Sequence, residues 1–330
     1  MKTFSRYHHI LWLLITTTIW LTGCSEDITI IKPGAPIPVV YGVFDLNRSM
    51  HYIKLTKTFA GENDPYTLAQ DHDNIFYSDA QVFLTDINGN NKMPFTLQTA
   101  IPREDGLFPA YPNEGYILNQ KLYQGDYMLK VIIPSEKDTL TAKFTFVQPF
   151  RVITPKAGFK RFYLYEDPIL FSWYSDPGAG LYEISLNLAY EEWMKTGVSR
   201  VCSVNYTRQL NISELEFEKD RYNYRFYSDN FFARAGTLIK VNDSVDYRKP
   251  VGLKLLITAA DTTLAKYLSW YHLEIDDKVN PNGNVDGAIG VVGTKYSVPF
   301  TGLILSQRSQ DSLVKGRYTK KLGFINNPDW

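Results

Sequence analysis

The run Ala80-Gln81-Val82-Phe83-Leu84-Thr85, followed at once by Asp86-Ile87-Asn88-Gly89-Asn90, decides the fold class. Its first part alternates with the two-residue period of a half-buried strand. The Asn-Gly pair tolerates positive φ, the backbone that a tight hairpin turn requires. The same rhythm continues on both sides. Residues 39–44 form a compact apolar run, and residues 50–59 place Tyr52, Lys54 and Thr56 on one face with Ile53 and Leu55 on the other. Gly125-Asp126 opens a strand over 127–133, and a turn over 134–138 precedes another over 140–147. Several short strands at this spacing predict a sandwich.

Pro149 and Pro155 bracket a boundary. The expected domains are an N-terminal Ig-like β-sandwich over 39–148 and a C-terminal β-rich domain over 149–330. In the latter, residues 170–174, 182–188 and 251–259 read as strands, with Leu253, Leu255 and Ile257 on one face. Asp261 is a good helix N-cap. After it, Leu264, Tyr267, Leu268 and Tyr271 recur at helical spacing and form one apolar stripe. A second short helix is expected over 230–238. The fold class is therefore mainly β: two β-rich, sandwich-like domains with one or two short helices in the second.

The start of the chain has a different character. Lys2 and Arg6 precede an apolar run over 10–20, too short for the roughly 20 residues of a membrane-spanning helix. Leu21-Thr22-Gly23-Cys24 then reads as a lipobox. The expectation is a lipoprotein signal peptide over 1–23, with Cys24 as the lipidated residue that ties the protein to a membrane. Two or more acyl chains make such an anchor stable, whereas one holds only marginally. Residues 24–38 contain Pro33, Gly34, Pro36 and Pro38 and read as an extended tether. Ser25-Glu26-Asp27 is similar to the acidic export signals that place lipoproteins on the surface of Bacteroidetes-type cells. The expected location is the outer membrane facing the cell surface, with the periplasmic face as the alternative.

Charge and cysteine content narrow the classes of function. Lys+Arg and Asp+Glu each number 35, and removal of Lys2 and Arg6 leaves a slightly acidic mature chain. No basic excess points to nucleic acid. With Cys24 committed to lipid, Cys202 has no partner for an intramolecular disulfide, so packing must hold the exported fold together.

Two sets of motifs are similar to a known family. Asn284-Val285-Asp286-Gly287-Ala288-Ile289-Gly290-Val291-Val292-Gly293 resembles the glycine-rich signature of the Bacteroidetes lipoprotein family called domain of unknown function 4249. Asp79-Ala80-Gln81-Val82 with 86–90, and Leu122-Tyr123-Gln124-Gly125-Asp126-Tyr127-Met128-Leu129-Lys130-Val131, resemble that family's N-terminal motifs. Ala288 stands where its second glycine is usual and Val292 where an aromatic is usual. The resemblance implies two β-rich domains and a TonB-dependent outer-membrane receptor as partner. It supplies no catalytic residues.

A search for chemistry leaves little. Of the histidines beyond the signal, His51, His72 and His272 have no metal-ligand spacing, and Asp71-His72-Asp73 reads as a solvated loop. Asp86, Asn88 and Asn90 are spaced like the start of a calcium loop, but Gly89 is misplaced and Leu97 occupies the closing glutamate position. The oxygen-rich stretch over 280–284 with Asp286 reads as a shaped loop. Glu191-Glu192 and Asp276-Asp277 are adjacent acids whose side chains diverge. There is no nucleophile elbow, phosphate loop or His-Glu-x-x-His segment. The expectation is no metal, no cofactor and no enzymatic activity.

Aromatic residues are the one compositional excess, concentrated over 159–165 and in Tyr222, Tyr224, Phe226 and Tyr227. These four are the candidate interaction residues, with sandwich core as the plainer reading. The expected function is a non-enzymatic accessory or ligand-capturing partner of a TonB-dependent receptor. The alternative is an adhesion or envelope-structural lipoprotein that binds other proteins. An aromatic-lined concavity would favour capture, and a flat exposed aromatic patch would favour adhesion.

Overall fold

The computed structural model describes residues 35–59, 64–101, 113–174, 176–270 and 283–330. Cys24, its lipobox and the acidic residues behind it lie outside these. The first half of the chain forms β1 (Pro38–Asp45), β2 (Met50–Lys57) and the short helices α1 (Pro65–Gln70) and α2 (His72–Ile75). It continues with β3 (Gln81–Asp86), β4 (Met93–Pro94), β5 (Thr96–Gln98), β6 (Gly115–Asn119), β7 (Asp126–Ile133) and β8 (Asp138–Thr145).

The second half begins with β9 (Val152–Thr154), β10 (Arg161–Phe162), β11 (Ile169–Tyr174), β12 (Ala179–Met194) and β13 (Ser199–Asn211). Next come β14 (Glu216–Glu218), β15 (Arg221–Phe226), α3 (Ser228–Leu238), β16 (Val245–Asp261) and α4 (Thr262–Trp270). The chain then forms β17 (Val285–Asp286), β18 (Ile289–Leu305) and α5 (Gln307–Lys315). The protein is mainly β, as the sequence predicts. Among the described residues the second half holds three α-helices, α3, α4 and α5, where one or two are expected, and the short capped segments α1 and α2 lie in the first half.

One large sheet has the order β13-β12-β16-β18-β1-β2-β6-β5, with β10 also pairing β18. The order β17-β8-β7-β3-β4 makes a second sheet and β14-β15-β11-β9 a third. The hairpin over Asp86 to Asn90 forms: the Gly89 N–H donates to the Asp86 carbonyl at 2.9 Å, and β3 pairs with β4 beyond it. In the first core Val40, Phe44, Ile53 and Leu55 of the large sheet meet Leu84, Leu129, Val131 and Leu140. Phe44 stacks on Phe144 with ring centroids 4.7 Å apart. In the second core Leu186, Leu255 and Ile257 meet Phe171, Trp173 and Phe226, while α3 and α5 add Phe231 and Leu313. Each such fully buried side chain is worth about 1.5–3 kcal/mol.

β18 joins the two sandwiches. Residues 289–295 run parallel to β1, from Val39↔Ile289 to Asp45↔Lys295. Farther along, the same strand runs antiparallel to β16. The chain therefore returns into the first sandwich long after leaving it, and Val285 and Val292 are buried in the first core. Asn284 stitches this return in place. Its Oδ1 accepts the Val292 N–H at 2.9 Å, and its Nδ2 donates to the Val292 and Lys143 carbonyls at 2.8 and 3.1 Å. Gly290 has φ +124°, and a Cβ there would lie 2.0 Å from the Val40 carbonyl oxygen. The glycine-rich motif is thus an architectural joint between strands.

The predicted helix after Asp261 is α4. The Leu264 N–H donates to Asp261 Oδ1 at 2.7 Å, and the Thr294 N–H donates to the other carboxylate oxygen. Leu264 and Tyr267 pack with Leu181, Ala260 and Val291 on the outward side of the large sheet. Tyr267 donates its hydroxyl to that of Tyr41 at 2.7 Å, linking α4 to β1. The fourth stripe residue, Tyr271, lies outside the described residues. No helix among the described residues is long and apolar enough to cross a membrane.

Candidate functional site

Strand alternation sends Tyr52, Lys54 and Thr56 outward while Ile53 and Leu55 enter the first core. That outward face, with Tyr41 of β1, is the floor of a cleft of about 480 Å³. Phe59, Ile75, Phe76 and Ile101 also line it, as do Asn113 and Glu114 just before β6. This volume falls within the range of about 300–1,000 Å³ common for small-molecule sites.

Local chemistry builds the wall. Asp64 caps α1, accepting the Tyr66 and Thr67 N–H groups at 3.0 Å each, and Pro65 occupies the first turn. Asp71 ends α1 and caps α2, accepting the Asp73 N–H at 3.0 Å. The Asn74 side-chain amide donates back to the Leu68 carbonyl at 3.2 Å. These bonds fix the two turns as one block and present Ile75 and Phe76 to the cleft.

Polar groups fasten that block to the sheet. His72 Nε2 lies 2.9 Å from Glu114 Oε1, and His72 Nδ1 lies 3.1 Å from Asp73 Oδ1. Neutral imidazole donates from only one nitrogen, so the protonated ring satisfies both contacts. The Asp73 hydrogen bond raises the His72 pKa, burial opposes this, and the nearly buried Glu114 carboxylate adds to the rise. Lys54 donates to Asn113 Oδ1 and to the Glu114 carbonyl, with its ammonium 4.5 Å from the centre of the Phe76 ring. The arrangement can enclose an apolar body against aromatic rings and hydrogen-bond its edge. Among the described residues the lining of the cleft holds no serine, cysteine or histidine.

The other sequence candidates fall elsewhere. Of the four aromatic interaction residues, Phe226 is fully buried and cannot present a surface, which removes it from the candidate set. Its neighbours are Phe171 and Tyr206. Tyr222 and Tyr224 are half-buried and packed against the second core, because strand alternation puts them on the same side as Phe226. Tyr227, past the end of β15, is 49% exposed. His51 is buried against Phe44, its Nε2 has no hydrogen-bond partner, and burial lowers its pKa. His272, Asp276, Asp277 and residues 280–282 lie outside the described residues.

Asp86 closes its own turn, accepting the Asn88 and Asn90 N–H groups at 3.0 and 2.9 Å. Glu191 and Glu192 diverge: Glu192 pairs with Arg248 and Arg200 inside, and Glu191 accepts the Trp193 indole N–H outside. Cys202 is a half-buried free thiol. Among the described residues no group of three His, Cys, Asp or Glu side chains could hold a metal ion.

Sequence reading found the Tyr52–Lys54–Thr56 face but not the wall. Asp64-Pro65 was an available signal for it, an N-cap followed by the proline favoured at a helix start. The Glu114–His72 pairing joins positions 42 residues apart and had no local signal.

No protein-family model matches this sequence, and no curated protein matches it. Among solved structures, InvD of Yersinia pseudotuberculosis aligns at 13% identity over 69% of this chain and 66% of its own, with a TM-score of 0.19. CBD12 from CALX1.2 aligns at 7% identity over 80% of this chain and 100% of its own, also with a TM-score of 0.19. Scores this low support no transfer of fold or role.

Proposed function

We propose that this chain is a lipid-anchored, non-enzymatic surface protein that captures a small ligand for a TonB-dependent outer-membrane receptor. The observation that carries the capture step is the concave cleft lined by Tyr41, Tyr52, Phe59 and Phe76. Aromatic walls with a few convergent polar groups suit reversible binding of a compact, largely apolar molecule. The lipobox at Cys24 motivates the anchor, and the resemblance of the 284–293 and 122–131 motifs motivates the receptor and the outer-membrane setting.

The test is purification of the tagged full chain from detergent-solubilised membranes, with protease digestion of intact cells and a nutrient-binding array. Recovery with a TonB-dependent receptor, surface cleavage and a hit lost in Tyr52→Ala are the expected results. Recovery alone, from cells whose protein is protected, together with an empty array, would overturn the proposal.

A second reading has its own observation. Leu170 and Tyr174 are 44% and 37% exposed on the outward face of the β14-β15-β11-β9 sheet, and Tyr227 is 49% exposed just past the end of β15. Such a face suits adhesion to another protein. Co-purification of an envelope protein lost on Tyr174→Ala but kept on Tyr52→Ala would favour it.

A further inference from the structure

Beside the cleft lies a second hollow of about 290 Å³, whose lining includes Arg48, Lys295, Tyr41 and Tyr52. Those two tyrosines also line the first cleft, so the hollows adjoin across their rings. We propose that the pair takes one ligand, a small amphipathic anion, with its apolar body among the aromatic rings and its anionic end at Arg48 and Lys295. This rests on the ligand-capture reading above and adds the chemical class of the ligand.

The turn between β1 and β2 sets the position of Arg48. Its N–H donates to the Asp45 carbonyl at 3.0 Å, and the Asn47 N–H donates to Asp45 Oδ1 at 2.9 Å. The Asn47 amide donates to the Ser297 carbonyl, pinning the turn to β18 two residues beyond Lys295. Lys295 stands opposite Asp45 in the parallel register. Neither Arg48 nor Lys295 belongs to an ion pair among the described residues.

Two acids bear on this cationic end. Asp45 is nearly buried, and one of its oxygens is taken by the turn. Glu183 on β12 lies within electrostatic reach of Lys295, but burial pushes its carboxyl up toward the neutral form. Arg48, Lys295 and Lys54 thus line the hollow with one carboxylate, that of Asp45, which stands opposite Lys295 and gives one oxygen to the turn, so cations outnumber acids in the lining. Lys54 keeps its place on the cleft wall through Asn113 and Glu114 and is not needed for this end.

Apolar contact supplies most of the affinity in such a site, and the cations select the sign of the head group. The ligand is free in solution, because a membrane lipid keeps its apolar part in the bilayer. Here that part lies against Tyr52, Phe59 and Phe76.

The experiment compares 2-naphthoate with its uncharged isostere 2-naphthamide by ligand-observed NMR on the full chain carrying Cys24→Ser. Naphthoate is expected to bind the more tightly, with a preference that shrinks as salt rises. Arg48→Gln with Lys295→Gln lowers naphthoate affinity by about fivefold or more and leaves naphthamide unchanged. Tyr52→Ala weakens both probes, and circular dichroism checks that each variant folds. Equal binding of the two probes to the unaltered hollow would overturn the anion assignment while leaving the cleft standing. Binding of neither would remove the capture reading itself. Free decanoate is expected to displace naphthoate; displacement by phosphatidylglycerol vesicles alone would overturn the free-ligand assignment.

Discussion

On the second sandwich, the outward side chains of the large sheet satisfy one another. Ser185 Oγ donates to Asn205 Oδ1 at 3.1 Å, Asn205 donates to Thr207 at 2.9 Å, and the Thr258 and Ser297 hydroxyls meet at 2.9 Å. On the first sandwich the same sheet turns Tyr41, Tyr52 and Lys54 toward a concavity roofed at one side by Phe76. The strands are continuous in hydrogen bonding through β18, so the backbone does not distinguish the two regions. What differs is the outward alternate set. Small hydroxyls and amides bond to one another there, and the hollow of about 590 Å³ beside them is lined largely by polar side chains such as Thr207, Gln209 and Asn211, whereas aromatic rings line the cleft of the first sandwich. A site arises where packing leaves apolar surface concave and wet.

The largest expected effect lies in the second sandwich, away from the cleft. Arg248 and Glu192 are 3% and 4% exposed at their side chains, and the guanidinium also donates to the Leu322 and Lys240 carbonyls. Arg248→Ala should cost about 3–4 kcal/mol in denaturant unfolding, since it strips a buried carboxylate of its buried partner. Naphthoate binding per folded molecule should stay unchanged. A matching loss of binding would erase the distinction between the two regions.

Next comes the joint. Gly290→Val should cost about 2–3 kcal/mol, from strain at positive φ and collision with the Val40 carbonyl. Because β1 carries Tyr41, this variant should also weaken naphthoate binding. Full stability in a melt would show that the return of β18 contributes little to closing the first sandwich.

The two described histidines sharpen the comparison within the first sandwich. The Asp73 bond, opposed by burial and supported by Glu114, raises His72 above its usual 6.5. Its stabilisation is full below 6.5 and is lost as pH rises through the raised folded value. Burial lowers His51, so its contribution is full above 6.5 and is lost as pH falls through the lowered folded value. His72→Gln should flatten the alkaline side of the stability profile by under about 1 kcal/mol, since the pair is partly exposed. His51→Gln should flatten the acid side. Identical profiles in both variants would break these assignments.

The smallest effect belongs to Tyr227→Ala, within about 0.5 kcal/mol of the parent by thermal or denaturant unfolding, as expected for an exposed position. A loss near that of a core aromatic would place Tyr227 with its neighbour Phe226.

Period-two alternation made much of the fold legible. The runs at 39–44, 50–59, 80–85, 127–133 and 251–259 correspond to strands, and Asp261 caps a helix. β18 was harder to read because Pro299 stands inside it and Gly290 and Gly293 break the apolar alternation at its start. Only the tertiary return against Val40 and Lys143 explains them. The cleft was half legible: Tyr52, Lys54 and Thr56 declared a face, but neither Glu114 nor Arg48 announces its neighbours in sequence. The aromatic run at 222–227 misled because abundance carries no direction. The pleat turned Phe226 inward, and the strand's end left Tyr227 outside.

The parallel pairing of β1 with β18 also has a mechanical consequence. A pull on the chain ahead of Pro38, directed along β1 and away from the body, meets seven register partners, Ile289 to Lys295, side by side. Their hydrogen bonds are loaded together in shear, while β2 grips the other edge. Rupture then requires the whole strand to slide at once. A protein held by its leading end would keep its cleft intact under drag that would unzip an end-on hairpin.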